Sequence, residues 1–215
     1  MKNKISYIPE TWDHANSYII HGAKDYLIDP SIAYDQNIAD NLNGIIATHF
    51  HYDHISHVEE WRKKTGLDFM MPEGDIPFLT DPEANCSIDY GKPTHYSAAD
   101  FYYTDQEKIQ LEPDLRLIVY HTPGHTPGCS CILLQNKQDD VYQPLALISG
   151  DTLFANSIGR TDLKGGNPAD MEKSLDRLTK ILQNLPQDLP VLPGHGSPFL
   201  IRDAFRFNPF IRQFL

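Results

Sequence analysis

The residues best suited to chemistry lie close together: Thr48-His49-Phe50-His51-Tyr52-Asp53-His54 puts four potential metal ligands into six residues. Imidazole nitrogen and carboxylate oxygen are the donors that zinc and its divalent neighbours accept at neutral pH. In extended backbone His49 and His51 project to one face, because side chains alternate with a period of two. A turn after them aims Asp53 and His54 at a neighbouring point, so the segment suits two metals better than one. A lone histidine is more simply a solvated or core side chain; four donors at this spacing are not explained that way. Three further donors stand in small-residue loops after apolar runs. His125 lies in Thr122-Pro123-Gly124-His125-Thr126-Pro127-Gly128, Asp151 follows Ile148-Ser149-Gly150, and His195 lies in Pro193-Gly194-His195-Gly196. Each alone is an ordinary turn residue. Loops at strand ends are nevertheless where functional side chains concentrate, and small flanking residues permit close backbone approach.

These donors need strands and helices to hold them, and the pattern supplies both. Ser17-Tyr18-Ile19-Ile20 and Tyr26-Leu27-Ile28-Asp29 read as paired strands around a turn at Gly22. Gly44 to Thr48, Leu115 to Tyr120, Cys129 to Leu134 and Leu145 to Ser149 read as four more. Helices are expected over Tyr34 to Leu42, over Ile55 to Thr65 with Gly66 as its stop, and over Ala169 to Leu185. The last is the clearest, since Met171, Leu175, Leu178, Leu182 and Leu185 share one helical face and Pro186 follows. The segment from Pro72 to Phe101 reads as loop with one helix over Asp75 to Leu79. Strands and helices interleave, so the class is α/β. No repeat, low-complexity tract or Gly/Ser-rich linker interrupts residues 1–215, which are read as one domain.

Composition limits the partners. Lys and Arg number 18 against 29 Asp and Glu, a net charge of −11. That sign argues against nucleic acid and against anionic lipid surfaces. The segment from Met1 to Tyr7 lacks the apolar centre of a signal peptide, and no apolar run approaches the length of a membrane span. Cys86, Cys129 and Cys131 form no disulfide framework, and Cys129 and Cys131, two apart in a strand, would bridge poorly. The expectation is a soluble, cytoplasmic globular protein.

His49-x-His51-x-Asp53-His54, then His125, Asp151 and His195, resembles the metallo-β-lactamase-fold hydrolases in their dinuclear form. Within them the chain is most similar to the short, single-domain glyoxalase II-like branch, the hydroxyacylglutathione hydrolases. The loop around His125, Gly150-Asp151-Thr152-Leu153-Phe154, Ser157-Ile158-Gly159-Arg160-Thr161-Asp162, Pro193-Gly194-His195-Gly196 and Asn208-Pro209-Phe210 all carry the likeness. The resemblance implies an αβ/βα four-layer sandwich with metals at one edge. It implies two divalent ions, zinc first, with iron or manganese as alternatives. His49, His51 and His125 would hold the first ion, Asp53, His54 and His195 the second, and Asp151 would bridge both. Asp53 would orient a metal-bound hydroxide or shuttle its proton during attack on a thioester such as S-D-lactoylglutathione.

The sequence departs from the long glyoxalase II form. With Leu215 as the last residue, the C-terminal helical domain of that form is not expected, and Arg160 and Asp162 stand where a glutathione-binding lysine and tyrosine are expected. Arg160 suits either a substrate carboxylate or a structural ion pair. Tyr52 and Phe154 flank ligands and either line a substrate pocket or pack in the core. His57 reads as a surface or supporting residue, and His121 as a residue packing or hydrogen-bonding on its strand. His14, His21 and His95 have no motif around them. Two other readings remain at this level: a mononuclear iron persulfide dioxygenase of the same fold, whose corresponding segment resembles Gly159-Arg160-Thr161-Asp162, and a non-catalytic metal-binding protein. The His195 motif favours the hydrolase, because it completes a second metal site. The expected partner is a small-molecule thioester, with glutathione derivatives among the candidates.

Overall fold

The computed structural model describes residues 4–215. Met1, Lys2 and Asn3, part of the segment read as lacking a signal-peptide centre, lie outside the described residues. The chain divides into two units, one ending at Tyr103 and one beginning at Thr104.

The first unit is built on a six-stranded sheet in sequence order: β1 (Ile5–Ile8), β2 (Ser17–His21), β3 (Asp25–Ile28), β4 (Leu42–Ile46), β5 (Phe69–Pro72) and β6 (Phe101–Tyr103). β1, β2 and β3 form an antiparallel meander, whereas β3, β4, β5 and β6 run parallel. Parallel neighbours need crossovers. Helix α1 (Gln36–Ala39) lies in the first, and α2 (Tyr52–Ile55) and α3 (Val58–Thr65) lie in the second. The core is apolar and aromatic, with Leu27, Ile45, Phe50, Ile55, Trp61, Phe69 and Met71 almost wholly buried.

Three local expectations are corrected here. Helix α1 is shorter than Tyr34 to Leu42, because the Asp35 carboxylate caps it by accepting from the Asn37 amide and Leu42 already belongs to β4. The helix expected over Ile55 to Thr65 is two helices. Its break at Ser56 and His57 is pinned when the His57 amide donates to the Pro30 carbonyl and the Ser56 hydroxyl to the Ser31 carbonyl. Gly66 does end α3, at φ 70°, where a side chain would be strained. The single turn near Asp75 is a 3₁₀ helix over Glu73–Phe78 rather than Asp75 to Leu79.

The second unit holds a six-stranded sheet in the order β12-β11-β10-β9-β8-β7. Its strands are β7 (Lys108–Glu112), β8 (Leu115–His121), β9 (Ser130–Gln138), β10 (Val141–Gly150), β11 (Pro190–Pro193) and β12 (Phe199–Leu200). All neighbours are antiparallel except β10 and β11, which are joined by the crossover helix α4 (Pro168–Gln183). The Asn167 side chain caps α4 by accepting from the amides of Ala169 and Asp170, with Pro168 in the first turn. Met171, Leu175, Leu178 and Leu182 form its buried stripe, packed with Leu133, Leu147 and Val191. Helices α5 (Ile201–Phe207) and α6 (Pro209–Arg212) complete this unit. No helix among the described residues is long and apolar enough to cross a membrane.

Each unit is therefore a mixed sheet with helices, the α/β class expected. Strand direction places the site residues. In the first unit Asp29 follows β3 and the His49 segment follows β4, two parallel strands, so both stand at one sheet edge. In the second, β8, β10 and β11 point the same way, so the loops bearing His125, Asp151 and His195 leave a common edge. Carboxyl ends of parallel strands are where α/β sheets present functional loops.

Candidate functional site

In the first unit the loop after β4 carries His49 and His51 into α2, with His51 as the N-terminal cap residue in extended backbone. Asp53 and His54 then fall in the first turn of that helix. His49, His51 and His54 are all withdrawn from solvent, at 0%, 3% and 0% exposure. The rings of His49 and His51 lie 4.8 Å apart, nearly perpendicular, and those of His49 and His54 lie 4.1 Å apart. Candidate ligand atoms of His49 and His51, of His49 and His54, and of Asp53 and His54 approach within 4.8 Å. Three buried imidazoles at this spacing are poorly suited to holding protons, since neighbouring positive charges would repel in a desolvated place. Imidazole nitrogens at this spacing are donors suited to divalent cations.

A residue that sequence reasoning passed over organises this cluster. Asp29, at the end of β3, is 1% exposed. Its Oδ1 accepts from the Thr48 amide at 2.6 Å, and its Oδ2 accepts from the Thr48 hydroxyl at 2.9 Å. The same Oδ2 lies 2.9 Å from His54 Nδ1. A carboxylate on Nδ1 fixes the proton there and directs Nε2 as the donor atom, the usual support for a metal-binding histidine. The signal was present in the sequence as an acidic residue ending a buried strand, but nothing local tied it to residues 19 and 25 positions away.

The second unit assembles the other three predicted ligands around one atom. Oδ2 of Asp151 lies 3.5 Å from His125 Nε2 and 3.6 Å from His195 Nε2. His125 Nδ1 donates to the Arg160 carbonyl at 2.7 Å, which again leaves Nε2 to face the carboxylate. The chain reaches this position because residue 159 is glycine. A Cβ there would sit 1.9 Å from the Asp151 carbonyl oxygen and 3.0 Å from His125 Nδ1.

The flanking residues divide by environment. Arg160 forms a two-pronged ion pair with Asp162, at 2.7 and 2.8 Å, on the surface. Phe154 is half-buried, its ring 6.2 Å from that of His195. Tyr52 is buried in the first unit's core beside Tyr90, with the Lys92 ammonium 5.7 Å above its ring. His57 pairs with Glu60 at the surface, and His121 bonds the Pro127 carbonyl. The three cysteines are buried thiols outside any disulfide.

Fold, donors and spacing meet in the comparisons. The family described as the metallo-beta-lactamase superfamily matches residues 11–195, and the chain belongs to it. "Probable metallo-hydrolase YqgX" of Bacillus subtilis is 32% identical over 79% of this chain and 76% of its own length. "Hydroxyacylglutathione hydrolase GloC" of Haemophilus influenzae is 28% identical over 80% and 77%. The crystal structure of BLEG-1 B3 metallo-beta-lactamase superposes with a TM-score of 0.80 at 30% identity, covering 96% of this chain and 99% of that one. The metallo-β-lactamase-like fold expected from the sequence is thus the fold of this protein, a member of a metallo-hydrolase superfamily carrying metal-binding residues.

Proposed function

We propose that this protein is a dinuclear metal-dependent thioesterase of glyoxalase II type, acting on S-D-lactoylglutathione or a related small thioester. The observation that carries the reading is the Asp151 oxygen placed between the imidazoles of His125 and His195. A single carboxylate oxygen serving two histidines is what a ligand shared by two cations requires. In this reading His49, His51 and His125 would hold one ion and Asp53, His54 and His195 the other, with Asp151 as a ligand available to both. The name of the Haemophilus influenzae relative supports the thioester class.

Two divalent ions bound there supply Lewis acidity and lower the pKa of a coordinated water to about 7. Zinc is the proposed occupant, with iron or manganese accepted by the same donor types. The protein's part is positional. Asp29 and the Arg160 carbonyl hold His54 and His125 in one tautomer each. Asp53, in the first turn of α2, orients the attacking water and takes up its proton. Arg160 offers a guanidinium fork to a substrate carboxylate, and Phe154, half-buried beside His195, provides an apolar wall, whereas Tyr52 packs in the core. The buried thiols suit a reducing, cytoplasmic setting.

The test is metal analysis of purified protein beside three assays: thioester hydrolysis, oxygen uptake with glutathione persulfide, and β-lactam cleavage. Two equivalents of metal with thioester cleavage are expected; His195→Ala should abolish cleavage by emptying the second site and leave the first at least partly filled. Persulfide oxidation that survives His195→Ala, with no thioester cleavage in the parent, would overturn the assignment in favour of a mononuclear dioxygenase.

A further inference from the structure

Thr122 and Thr152 lie 30 residues apart, and their hydroxyl oxygens meet at 2.6 Å in the interior of the second unit. Both side chains are essentially inaccessible, at 1% and 0% exposure. Thr122 stands at the neck of the loop that carries His125, and Thr152 is the residue after Asp151. The Thr122 amide closes that neck by donating to the Cys129 carbonyl at 2.8 Å, and its hydroxyl reaches the same oxygen at 3.3 Å. The same hydroxyl reaches Cys131 Sγ at 3.7 Å, and in the short contact between the two threonines either hydroxyl can be the donor. Cys129 Sγ lies 3.4 Å from the Thr152 oxygen and extends the group. Cys131 adds a thiol directed at the Ser149 carbonyl, 3.7 Å away, and burial pushes its pKa up to about 11, so it stays a neutral donor.

The network spans the two ligand loops. Other contacts hold the His125 loop to residues 167–174: the Ser174 hydroxyl donates to the Pro123 carbonyl, and the Asn167 amide to the Gly124 carbonyl. The threonine pair differs in tying one loop to the other through side chains. We infer that Thr122 and Thr152 form a hydroxyl bridge that sets the spacing of His125 against Asp151, making them positioning residues of the metal site. The inference rests on the metal-binding reading above and adds which buried groups hold its geometry.

Valine keeps the shape of threonine and removes the hydroxyl, whereas serine keeps the hydroxyl and removes a methyl. The experiment measures the Kd for Zn²⁺ by chelator competition, alongside thermal unfolding of metal-free protein. The comparison covers the parent, Thr122→Val/Thr152→Val and Thr122→Ser/Thr152→Ser. Replacing both partners of a buried hydrogen bond by apolar groups of the same shape is nearly neutral for stability. The double valine variant should therefore unfold near the parent temperature yet bind zinc about 10-fold or more weakly, the lower end for groups that support ligands. The double serine variant should lose unfolding temperature through lost packing and keep the parent Kd. An unchanged Kd in the valine variant overturns the inference. If the valine variant does not fold, a serine variant whose Kd weakens in step with its stability overturns it instead. A parent protein that binds no zinc, iron or manganese would defeat the underlying metal reading, a result distinct from either.

Discussion

Asp29 and His54 are 25 residues apart in sequence, and their side chains meet at 2.9 Å with almost no solvent access. Asp29 has φ 51°, a left-handed conformation that aspartate and asparagine tolerate better than most residues. An asparagine side chain in its place would keep that backbone and could still accept from the Thr48 amide, but its NH₂ cannot accept from His54. Asp29→Asn is therefore expected to fold while weakening metal binding about 10- to 100-fold. Chelator competition checks the affinity and circular dichroism checks the fold; an unchanged Kd would show that Asp29 serves only the turn.

Gly159 sits where no side chain fits. In Gly159→Ala the new methyl would meet the Asp151 carbonyl oxygen at 1.9 Å, so backbone must move. The expected cost is about 1–3 kcal/mol of stability. Because the displaced atoms include the backbone of Asp151 and the ring of His125, metal content should fall as well. Urea unfolding and metal analysis on one preparation measure both. Lost stability with full metal loading would place the movement away from the ligands.

The candidate donors could be picked out in the sequence because each stands in a short motif of its own, the His49 segment or a small-residue loop after an apolar run. The long helix was legible for the same reason: Met171, Leu175, Leu178 and Leu182 repeat at helical spacing and all face the core. What escaped depended on distant partners. Nothing near Ser56 and His57 announces a helix break, since the carbonyls that pin them belong to Pro30 and Ser31. The strands expected to end at Leu134 and to begin at Leu145 extend through polar residues to Gln138 and from Val141, because ladder hydrogen bonds use backbone and not side chains. Asp139 and Asp140 close that hairpin, both with positive φ, as a tight two-residue turn demands. Asp29, Thr122 and Thr152 escaped for a related reason. Each is an ordinary polar residue until the fold brings its partner.

Glu60 gives a pH prediction. Hydrogen bonds from Lys64, then from the Tyr34 amide and His57, hold its carboxyl down to about 2 from 4.5. A depressed carboxyl contributes stability above its unfolded value and loses it as pH falls through the folded one. The contribution of Glu60 is thus full above pH 4.5 and vanishes toward pH 2. Its side chain is 36% exposed, so solvent screening limits the effect to about 1 kcal/mol or less. In urea unfolding of metal-free protein, Glu60→Gln should be less stable than the parent at pH 7 and converge with it near pH 2. A constant gap across that range would assign the loss to packing.

Arg160 has two separable parts. Its carbonyl accepts from His125, and its guanidinium grips Asp162, whose carboxyl is held at about 2 chiefly by the hydrogen bonds from Arg160. Arg160→Ala keeps the carbonyl and should keep the metals. If the fork also receives a substrate carboxylate, its removal raises KM with little change in kcat, because the contact is equal in ground and transition states. Asp162→Asn should move KM the other way by removing the carboxylate that competes for the same fork. Steady-state kinetics on a thioester bearing a free carboxylate, compared with its amide, distinguishes the cases. A KM unchanged in both variants would show that the pair only braces the loop; metal loss in Arg160→Ala would show that the guanidinium is needed to hold the carbonyl in place.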